Sequence, residues 1–199
     1  MPIPEPAHIA AVDGNELRRN LLAQLQQPYL ERALILSFRY NDFDLQSGRK
    51  GNPIASTGLI RLLERAAVNN VQVTVVTRDP FAERDLPRDF HLWYAGLRRL
   101  VRAGAEVRLH PRLHAKVYLL QSGGDRYYFA VGSSNLTFQG MGQRWAECNV
   151  RGYHSGEFEL VFRHATRLSF ETGARDFQTW ETMLRKSPRG HELLRAASM

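Results

Sequence analysis

Cysteine is nearly absent from this sequence, because Cys148 is the single one among 199 residues. An internal disulfide and a cysteine-based zinc site are therefore excluded, and a reducing compartment is expected. Long apolar runs are missing as well, since no stretch approaches the roughly 18 residues that a membrane-spanning helix needs. The N-terminus, MPIPEPAHIAAVDG, lacks the basic segment and apolar run of a signal peptide. We therefore expect a cytoplasmic protein without a membrane partner.

Lysine is scarce, although the chain is strongly basic. Of 27 lysines and arginines only Lys50, Lys116 and Lys186 are lysines, which leaves 24 arginines. The formal net charge is +7, and the isoelectric point is about 10.0. Such an excess of positive charge indicates a polyanionic partner, such as nucleic acid or an anionic membrane surface. A solvated basic surface that has no partner is the alternative interpretation.

The spacing of apolar residues predicts an α/β fold. We expect a first helix that ends near 27 and further helices over 57–69, 90–103, 155–169 and 176–185, with strands over 33–38, 71–77, 105–110, 113–120, 127–133 and 146–151. This order predicts a single domain over 1–199 in which helices flank a mixed β-sheet. Asp13 or Asn15 is expected to cap the first helix, and Gly104 to end the third. The polar segment 39–53 is expected to be a loop.

Five polar residues stand out between 113 and 149, in segments otherwise rich in Val, Leu, Tyr and Phe: His114, Lys116, Ser133, Asn135 and Glu147. Residues two positions apart on a strand project from the same face, so His114 should lie beside Lys116, and Ser133 beside Asn135. Sites in open sheets are built near strand ends and the loops that follow them. We therefore expect these five side chains to converge. Arg39 and Asp42 follow the first strand and are candidates for substrate binding.

The chemistry of this set suits attack on a phosphodiester. A neutral imidazole, here that of His114, is a competent nucleophile near pH 7. Lys116 would hold the non-bridging oxygens, and Asn135 and Ser133 would add hydrogen bonds to them. Glu147 would accept from the far imidazole nitrogen and fix its tautomer. Nothing in this set requires a metal or another cofactor, because the lysine supplies the positive charge.

This constellation resembles the phospholipase D superfamily, whose signature is H-x-K, four residues and an Asp, with G-S-x-N downstream. His114-Ala115-Lys116 matches the first part, and the segment 132–135, GSSN, matches the second. Gln121 departs from the signature, because it stands where the family has the Asp that supports the fold and orients the histidine. The nuclease branch that includes metal-independent restriction endonucleases resembles the chain best, since its members pair the motif with a Glu. The resemblance therefore gives the orienting role to Glu147.

The resemblance also implies a quaternary structure. Superfamily chemistry uses two histidines, of which one forms a phosphohistidine while the other protonates the leaving oxygen and then activates water. This chain has one H-x-K, so the implied enzyme is a C2 homodimer with one composite site. That site would combine His114, Lys116, Asn135 and Glu147 of both subunits. A bell-shaped pH–rate profile would follow from one neutral and one protonated histidine.

Three functions are compatible with these features. The expected one is a metal-independent nuclease, with DNA favoured over RNA, because the basic charge suits a nucleic-acid substrate. The second is a phospholipid phosphodiesterase or phosphatidyl transferase that uses the same groups, although no interfacial helix is visible. The third is a catalytically impaired nucleic-acid-binding subunit of a DNA-defence system, which Gln121 alone favours.

Overall fold

The computed structural model describes residues 9–37, 39, 43–44, 49–50, 58–82, 90–137, 141, 147–171 and 173–196. Asp42, one of the two candidate residues after the first predicted strand, lies outside these ranges. Helices and strands combine in an α/β structure with a mixed sheet, which confirms the predicted fold class.

Ten strands occur among the described residues: β1 (Ala10–Val12), β2 (Leu30–Ser37), β3 (Phe43–Asp44), β4 (Arg49–Lys50), β5 (Gln72–Arg78), β6 (Glu106–His110), β7 (Lys116–Ser122), β8 (Arg126–Gly132), β9 (Asn149–Gly152) and β10 (Arg175–Asp176). Eight of them form the main sheet in the order β1-β9-β8-β7-β2-β5-β6-β10. β2, β5 and β6 are parallel, and the other neighbours are antiparallel. β3 and β4 pair with each other, so the predicted loop over 39–53 contains a short hairpin.

Six α-helices are described: α1 (Gly14–Leu25), α2 (Leu59–Val68), α3 (Phe90–Arg102), α4 (Ser155–Ser169), α5 (Phe177–Lys186) and α6 (Pro188–Ala196). Asp13 caps α1, since its carboxylate accepts the Glu16 N–H at 2.7 Å. Gly104 follows α3 with a φ of 95°, a backbone conformation that favours glycine. The predicted helices are confirmed to within about two residues, whereas α6 was not predicted.

The two faces of the main sheet carry unequal layers of helices. Ile35 and Val75, both fully buried, point into a large core that includes side chains of α1, α2, α3, α5 and α6. Leu36 and Leu119 point to the other face, where Phe158 of α4 covers them. Each fully buried aliphatic side chain contributes on the order of 2 kcal/mol through its removal from water. Successive side chains of β2, β5 and β7 therefore point alternately into the two cores, and this alternation determines which helices each face of the sheet contacts.

The strand register brings several strand ends to one edge of the sheet. Ser37, the last residue of β2, pairs with Lys116, the first residue of β7. Gly132, which ends β8, pairs with Asn149, which begins β9. We call this the upper edge, and we call the opposite edge, with the β7–β8 turn at 123–125, the lower edge.

Candidate active site

The predicted site residues lie just outside the strands rather than on them. β7 begins at Lys116, β8 ends at Gly132 and β9 begins at Asn149. His114, Ser133, Asn135 and Glu147 therefore occupy loops at the upper edge, which corrects the predicted strands over 113–120, 127–133 and 146–151. The physical reason is pairing: β2 ends opposite Lys116, so the residues before Lys116 have no strand to extend the ladder.

His114 and Lys116 lie together although their surroundings differ. The lysine Nζ is 3.2 Å from the imidazole Nδ1. His114 is exposed, whereas Lys116 retains only 7% of its accessible surface. The two groups are within hydrogen-bond distance, and the tautomer of the imidazole sets the donor and acceptor roles. The pair presents an accessible imidazole beside a cation that the sheet holds in place.

The charge of Lys116 depends on its neighbours. Burial lowers the pKa of Lys116 below its ordinary value, because removal from water disfavours the charged form. The carboxylate of Glu147 acts in the opposite direction and raises the same pKa. Glu147 therefore favours the protonated lysine, which is the form that binds phosphate oxygens.

Glu147 is held by a serine of the GSSN segment. The Ser133 hydroxyl donates a hydrogen bond to the Glu147 carboxylate. The same hydroxyl accepts the Cys148 N–H at 3.0 Å, and the Ser133 N–H donates to the Cys148 carbonyl at 3.1 Å. This places Ser133 between the two loops. The predicted contact of Glu147 with the imidazole stays a prediction.

Asn135 is oriented by the backbone that follows β2. Its Oδ1 accepts the Arg39 N–H at 3.1 Å. Since the carbonyl end of the amide is held in this way, the Nδ2 end is the part of the side chain that can donate to a substrate oxygen. Arg39 is exposed, and its backbone joins the loop after β2 to the GSSN segment.

Ser37 supports this junction from below and was not singled out in the sequence. Its hydroxyl accepts the Leu136 N–H at 2.9 Å and donates to the Arg39 carbonyl at 2.5 Å. The residue is fully buried. A serine that ends the apolar run ALILS is the sequence signal that points to it, since a buried hydroxyl needs partners.

Two further residues fix Ser134, the middle of the GSSN segment. The Asn149 side chain accepts the Ser134 N–H at 3.2 Å and donates to the Ser134 hydroxyl at 2.9 Å. The Tyr118 hydroxyl donates to the Ser134 carbonyl at 2.6 Å. Both side chains are buried. Tyr118 is a core residue, and its hydroxyl gives it this additional role.

Close packing explains why the first position of the GSSN motif is a glycine, Gly132. A Cβ at this position would lie 2.5 Å from the Cys148 carbonyl oxygen and 2.6 Å from the Asn149 Cα. These are backbone atoms of the neighbouring strand and its approach, so they cannot rotate away as a flexible side chain would. Glycine therefore permits the close contact that sets Ser133 beside Glu147.

Gln121 lies far from this site. It is five positions after Lys116 on β7, which corresponds to about 17 Å along a strand. An odd number of positions also places its side chain on the opposite face of the sheet. Its cross-strand partners are Arg32 and Tyr127. Within one subunit, a residue at this position can support the strand but cannot orient the imidazole.

In the part of the chain that is described, no three His, Cys, Asp or Glu side chains are grouped closely enough to hold a metal ion. Within the same ranges, every helix is too short or too polar to cross a membrane.

Comparisons with known proteins show the family of the chain and structures that share its fold. A family model described as "Cardiolipin synthase, PLD-like domain" matches residues 53–167, which is more than half of the chain. No curated protein sequence gives a significant match.

Solved structures share the fold at low sequence identity. Nuc, a phospholipase D family member from Salmonella typhimurium, is 15% identical with a TM-score of 0.58, and the match covers 86% of this chain and 97% of Nuc. NucT from Helicobacter pylori is 11% identical with a TM-score of 0.57, covering 86% and 100%. Phosphatidylserine synthase from Haemophilus influenzae Rd KW20 is 15% identical with a TM-score of 0.60, covering 98% of this chain but 46% of the synthase.

Proposed function

Since this chain belongs to the phospholipase D superfamily of phosphodiesterases, we propose that it is a metal-independent nuclease that cleaves DNA through a phosphohistidine. The observation that carries the proposal is the contact of 3.2 Å between the accessible His114 imidazole and the buried Lys116 ammonium. Glu147 and the Asn135 amide lie on the loops that flank this pair. A nucleophile beside a cation, a carboxylate and an amide donor is a set of groups that phosphodiester cleavage by histidine can use.

The first step forms a bond between an imidazole nitrogen of His114 and phosphorus, while the bond from phosphorus to the leaving oxygen breaks. The leaving oxygen takes a proton from the partner subunit's His114. In the second step that histidine, now neutral, removes a proton from water, and the resulting hydroxide attacks phosphorus. The bond between phosphorus and His114 breaks, which restores the neutral imidazole.

Lys116 and Asn135 would act on the charge of the transferred group. The lysine ammonium and the Nδ2 donors face non-bridging oxygens whose charge increases as phosphorus becomes five-coordinate. Because Lys116 is buried and fixed by β7, little reorganisation is needed when that charge develops. Glu147 would keep the lysine protonated and hold Ser133 in place.

The second histidine would come from a second copy of the chain. On the α4 face of the sheet, Val131 and Val150 are 38% and 42% exposed and pair directly across β8 and β9. Val131 precedes Gly132, so this apolar pair lies next to the upper edge. A second copy packed on it would remove the pair from water and bring its own upper edge near the first.

Nucleic acid is the substrate that the charge favours. A net charge of +7 attracts a polyanion, and most of the basic residues are arginines, whose planar guanidinium suits phosphate. Arg39 is exposed, and its backbone N–H donates to Asn135, so it would hold a phosphate next to the scissile one.

A lipid substrate is the second candidate. The observations that favour it are the cardiolipin synthase name of the matching family model and the phosphatidylserine synthase among the similar structures. Both candidates share the phosphodiester and the same catalytic groups, so the substrate that the protein turns over distinguishes them.

The test is incubation of the purified protein with plasmid DNA, single-stranded DNA, RNA or phosphatidylglycerol vesicles, each in excess EDTA. We expect DNA cleavage that His114→Ala abolishes and that His164→Ala, a change of an exposed histidine on α4, leaves intact. A strict requirement for metal would contradict the mechanism. Lipid turnover without DNA cleavage would favour the second candidate.

The composite site has its own test. Wild type co-expressed with an equal amount of His114→Ala forms dimers at random, and only dimers with two wild-type subunits hold both histidines. The activity of the mixture should fall to about one quarter of that of the same total amount of wild type, because one quarter of random dimers are fully wild type. A value of one half would show that each subunit works alone.

A further inference from the structure

His110 and His114 lie four positions apart, on either side of the turn that leads from β6 into β7. His114 is exposed, whereas His110 retains 4% of its accessible surface. The proposed mechanism uses His114 only. A buried histidine at the start of this turn needs a separate explanation, because burial of an imidazole without partners is costly.

His110 holds the turn through its ring and its carbonyl. The Nδ1 atom accepts the Arg112 N–H at 3.0 Å. The His110 carbonyl accepts the Asp79 N–H at 3.1 Å and the Leu113 N–H at 3.5 Å. The residues of the turn form no strand pairing. The imidazole supplies the hydrogen-bond acceptor for the Arg112 N–H, two residues before His114.

The other nitrogen of the ring faces an acid. His110 Nε2 is 3.5 Å from the Glu171 carboxylate. Because Nδ1 accepts from Arg112, the proton of the neutral ring is on Nε2 and points toward this acid. Within the described part of the chain, Nε2 makes no hydrogen bond, so Glu171 acts on it through charge over a longer distance.

The segment that carries Glu171 also packs against the turn. Gly173 has a φ of 96°, and a Cβ there would lie 3.2 Å from the Pro111 ring. On the far side of the turn, Leu113 is 2% exposed in the core that α4 covers. The turn is thus held on both sides, and the side-chain hydrogen bond described within it is the one that the Arg112 N–H donates to His110 Nδ1.

We infer that His110 is a positioning residue, which fixes the 111–113 turn through its Nδ1 acceptor and so sets where the His114 imidazole stands. This inference rests on the proposed function, because it assigns His110 a role in the turnover that His114 performs. A displacement of a catalytic group by about 1 Å costs up to roughly 100-fold in rate.

The test compares two replacements of His110 that differ in one property. His110→Asn keeps an acceptor, since the asparagine Oδ1 takes the place of Nδ1. His110→Leu fills similar space and has no acceptor. Hydrolysis of bis(p-nitrophenyl) phosphate would be measured with both variants, with wild type and with Glu171→Gln.

We expect His110→Leu to lower kcat by about 10- to 100-fold with KM changed by less than about 3-fold, because the turn moves while the phosphate site remains. His110→Asn should stay within about 3-fold of wild type, and Glu171→Gln likewise. Wild-type kcat in folded His110→Leu would overturn the inference. Equal impairment of His110→Asn and His110→Leu would overturn it too.

A second readout does not depend on activity. The Arg112 amide should be protected from hydrogen exchange in wild type and His110→Asn and should exchange faster in His110→Leu. Unchanged protection in His110→Leu would overturn the inference even if no phosphodiester is cleaved. Absence of any turnover by wild type, with the exchange difference present, would contradict the proposed function alone. If His110→Leu does not fold, His110→Met replaces it, since methionine adapts to irregular buried space.

Discussion

The upper and lower edges of the main sheet end the same strands in different ways. At the lower edge β7 and β8 are joined by a tight turn, where Gly124 and Asp125 take positive φ values of 75° and 57°. Backbone contacts hold this turn, such as the Gly123 N–H to the Tyr29 carbonyl at 2.7 Å. At the upper edge, buried side chains hold the loops instead, as Ser37 and Asn149 do.

The difference follows from what each edge must hold. A short turn leaves few backbone groups to satisfy, and the Tyr29 carbonyl accepts one of them here, so the side chains of the turn can face water. The upper loops are longer and irregular, and several of their backbone N–H groups find acceptors on side chains. Buried polar residues are costly unless they are paired. They are concentrated where several loops have to be fixed at once, which is where the proposed chemistry takes place.

Replacing the cation of the upper edge should have the largest effect. Lys116→Met removes the charge that is proposed to stabilise the transferred phosphoryl group, and turnover should fall by about 100- to 1,000-fold. Stability should not fall, because burial already disfavours the charged lysine and lowers its pKa. Steady-state kinetics and urea unfolding at pH 7 measure both effects, with Lys186→Met as the control for loss of a lysine.

The same variant has a pH signature. Because the pKa of Lys116 is lower in the folded than in the unfolded chain, folding releases protons between those values, and wild-type stability from this group rises with pH. Any stability advantage of Lys116→Met should therefore shrink as the pH approaches 10.5, the ordinary lysine value. An advantage that grows with pH would contradict the account.

Crowding at the junction of β8 and β9 should have the next largest effect. Gly132→Ala places a methyl group 2.5 Å from the Cys148 carbonyl oxygen, and the free energy of unfolding should fall by about 1–3 kcal/mol. Turnover should fall as well, since Ser133 and Glu147 move with the strand. Gly156→Ala is the control, because its added Cβ comes no closer than 3.4 Å to another atom. Equal stability of the two variants would show that the junction is not tightly constrained.

Removal of one tyrosine hydroxyl at each edge compares how much a single hydrogen bond contributes to stability at the two edges. Tyr118→Phe leaves the buried Ser134 carbonyl without its 2.6 Å donor, and should lower the free energy of unfolding by about 1–2 kcal/mol. Tyr127→Phe removes a hydroxyl that donates to the exposed Asp125 side chain at the lower edge, and should have less than half of that effect. Urea unfolding of both variants tests the comparison.

Alkaline pH adds a check on Tyr118. Burial raises the pKa of this phenol above its ordinary value of 10.0. Its contribution to stability is therefore complete below pH 10 and is lost as the pH rises further, because the unfolded chain ionises first. Tyr118→Phe should lose less stability than wild type between pH 9 and pH 11. A steeper loss in the variant would be inconsistent with a buried neutral phenol.

The smallest effect is expected at the lower edge. Gln121→Asp restores the family's signature acid beside Arg32, its cross-strand partner. A cross-strand charge pair contributes less than about 1 kcal/mol, and turnover should stay within about 2-fold of wild type. A large gain in turnover would show that residue 121 affects the site at the upper edge. Thermal unfolding and steady-state kinetics measure the two quantities.

The long elements could be predicted because their apolar patterns are unambiguous. VQVTVVT predicted β5 to within one residue at each end, and the spacing of Leu59, Leu62 and Leu63 predicted α2. β1 and β10 have three and two residues, too few for a pattern to emerge. α6 begins with Pro-Arg-Gly, and Gly190 lies so close to the Leu184 backbone that its role is visible only in three dimensions.

From the sequence, the candidate site can be proposed as a set of residues but not as a set of contacts. The types of His114, Lys116 and Glu147 indicate the chemistry wherever the side chains lie. That Ser133 donates to Glu147 depends on the register of Gly132 opposite Asn149, which no local pattern contains. Likewise, only the length of β7 shows how far Gln121 lies from Lys116.

The single cysteine offers a direct way to measure the proposed assembly. Cys148 is exposed, and its backbone is hydrogen-bonded to Ser133 at the upper edge. A nitroxide label on its sulfur would need no engineered cysteine and no removal of others. In a two-fold dimer with a composite site, the two labels would give one narrow spin–spin distance. A monomer would give none, so an electron spin resonance experiment on the native chain can count the subunits at the site.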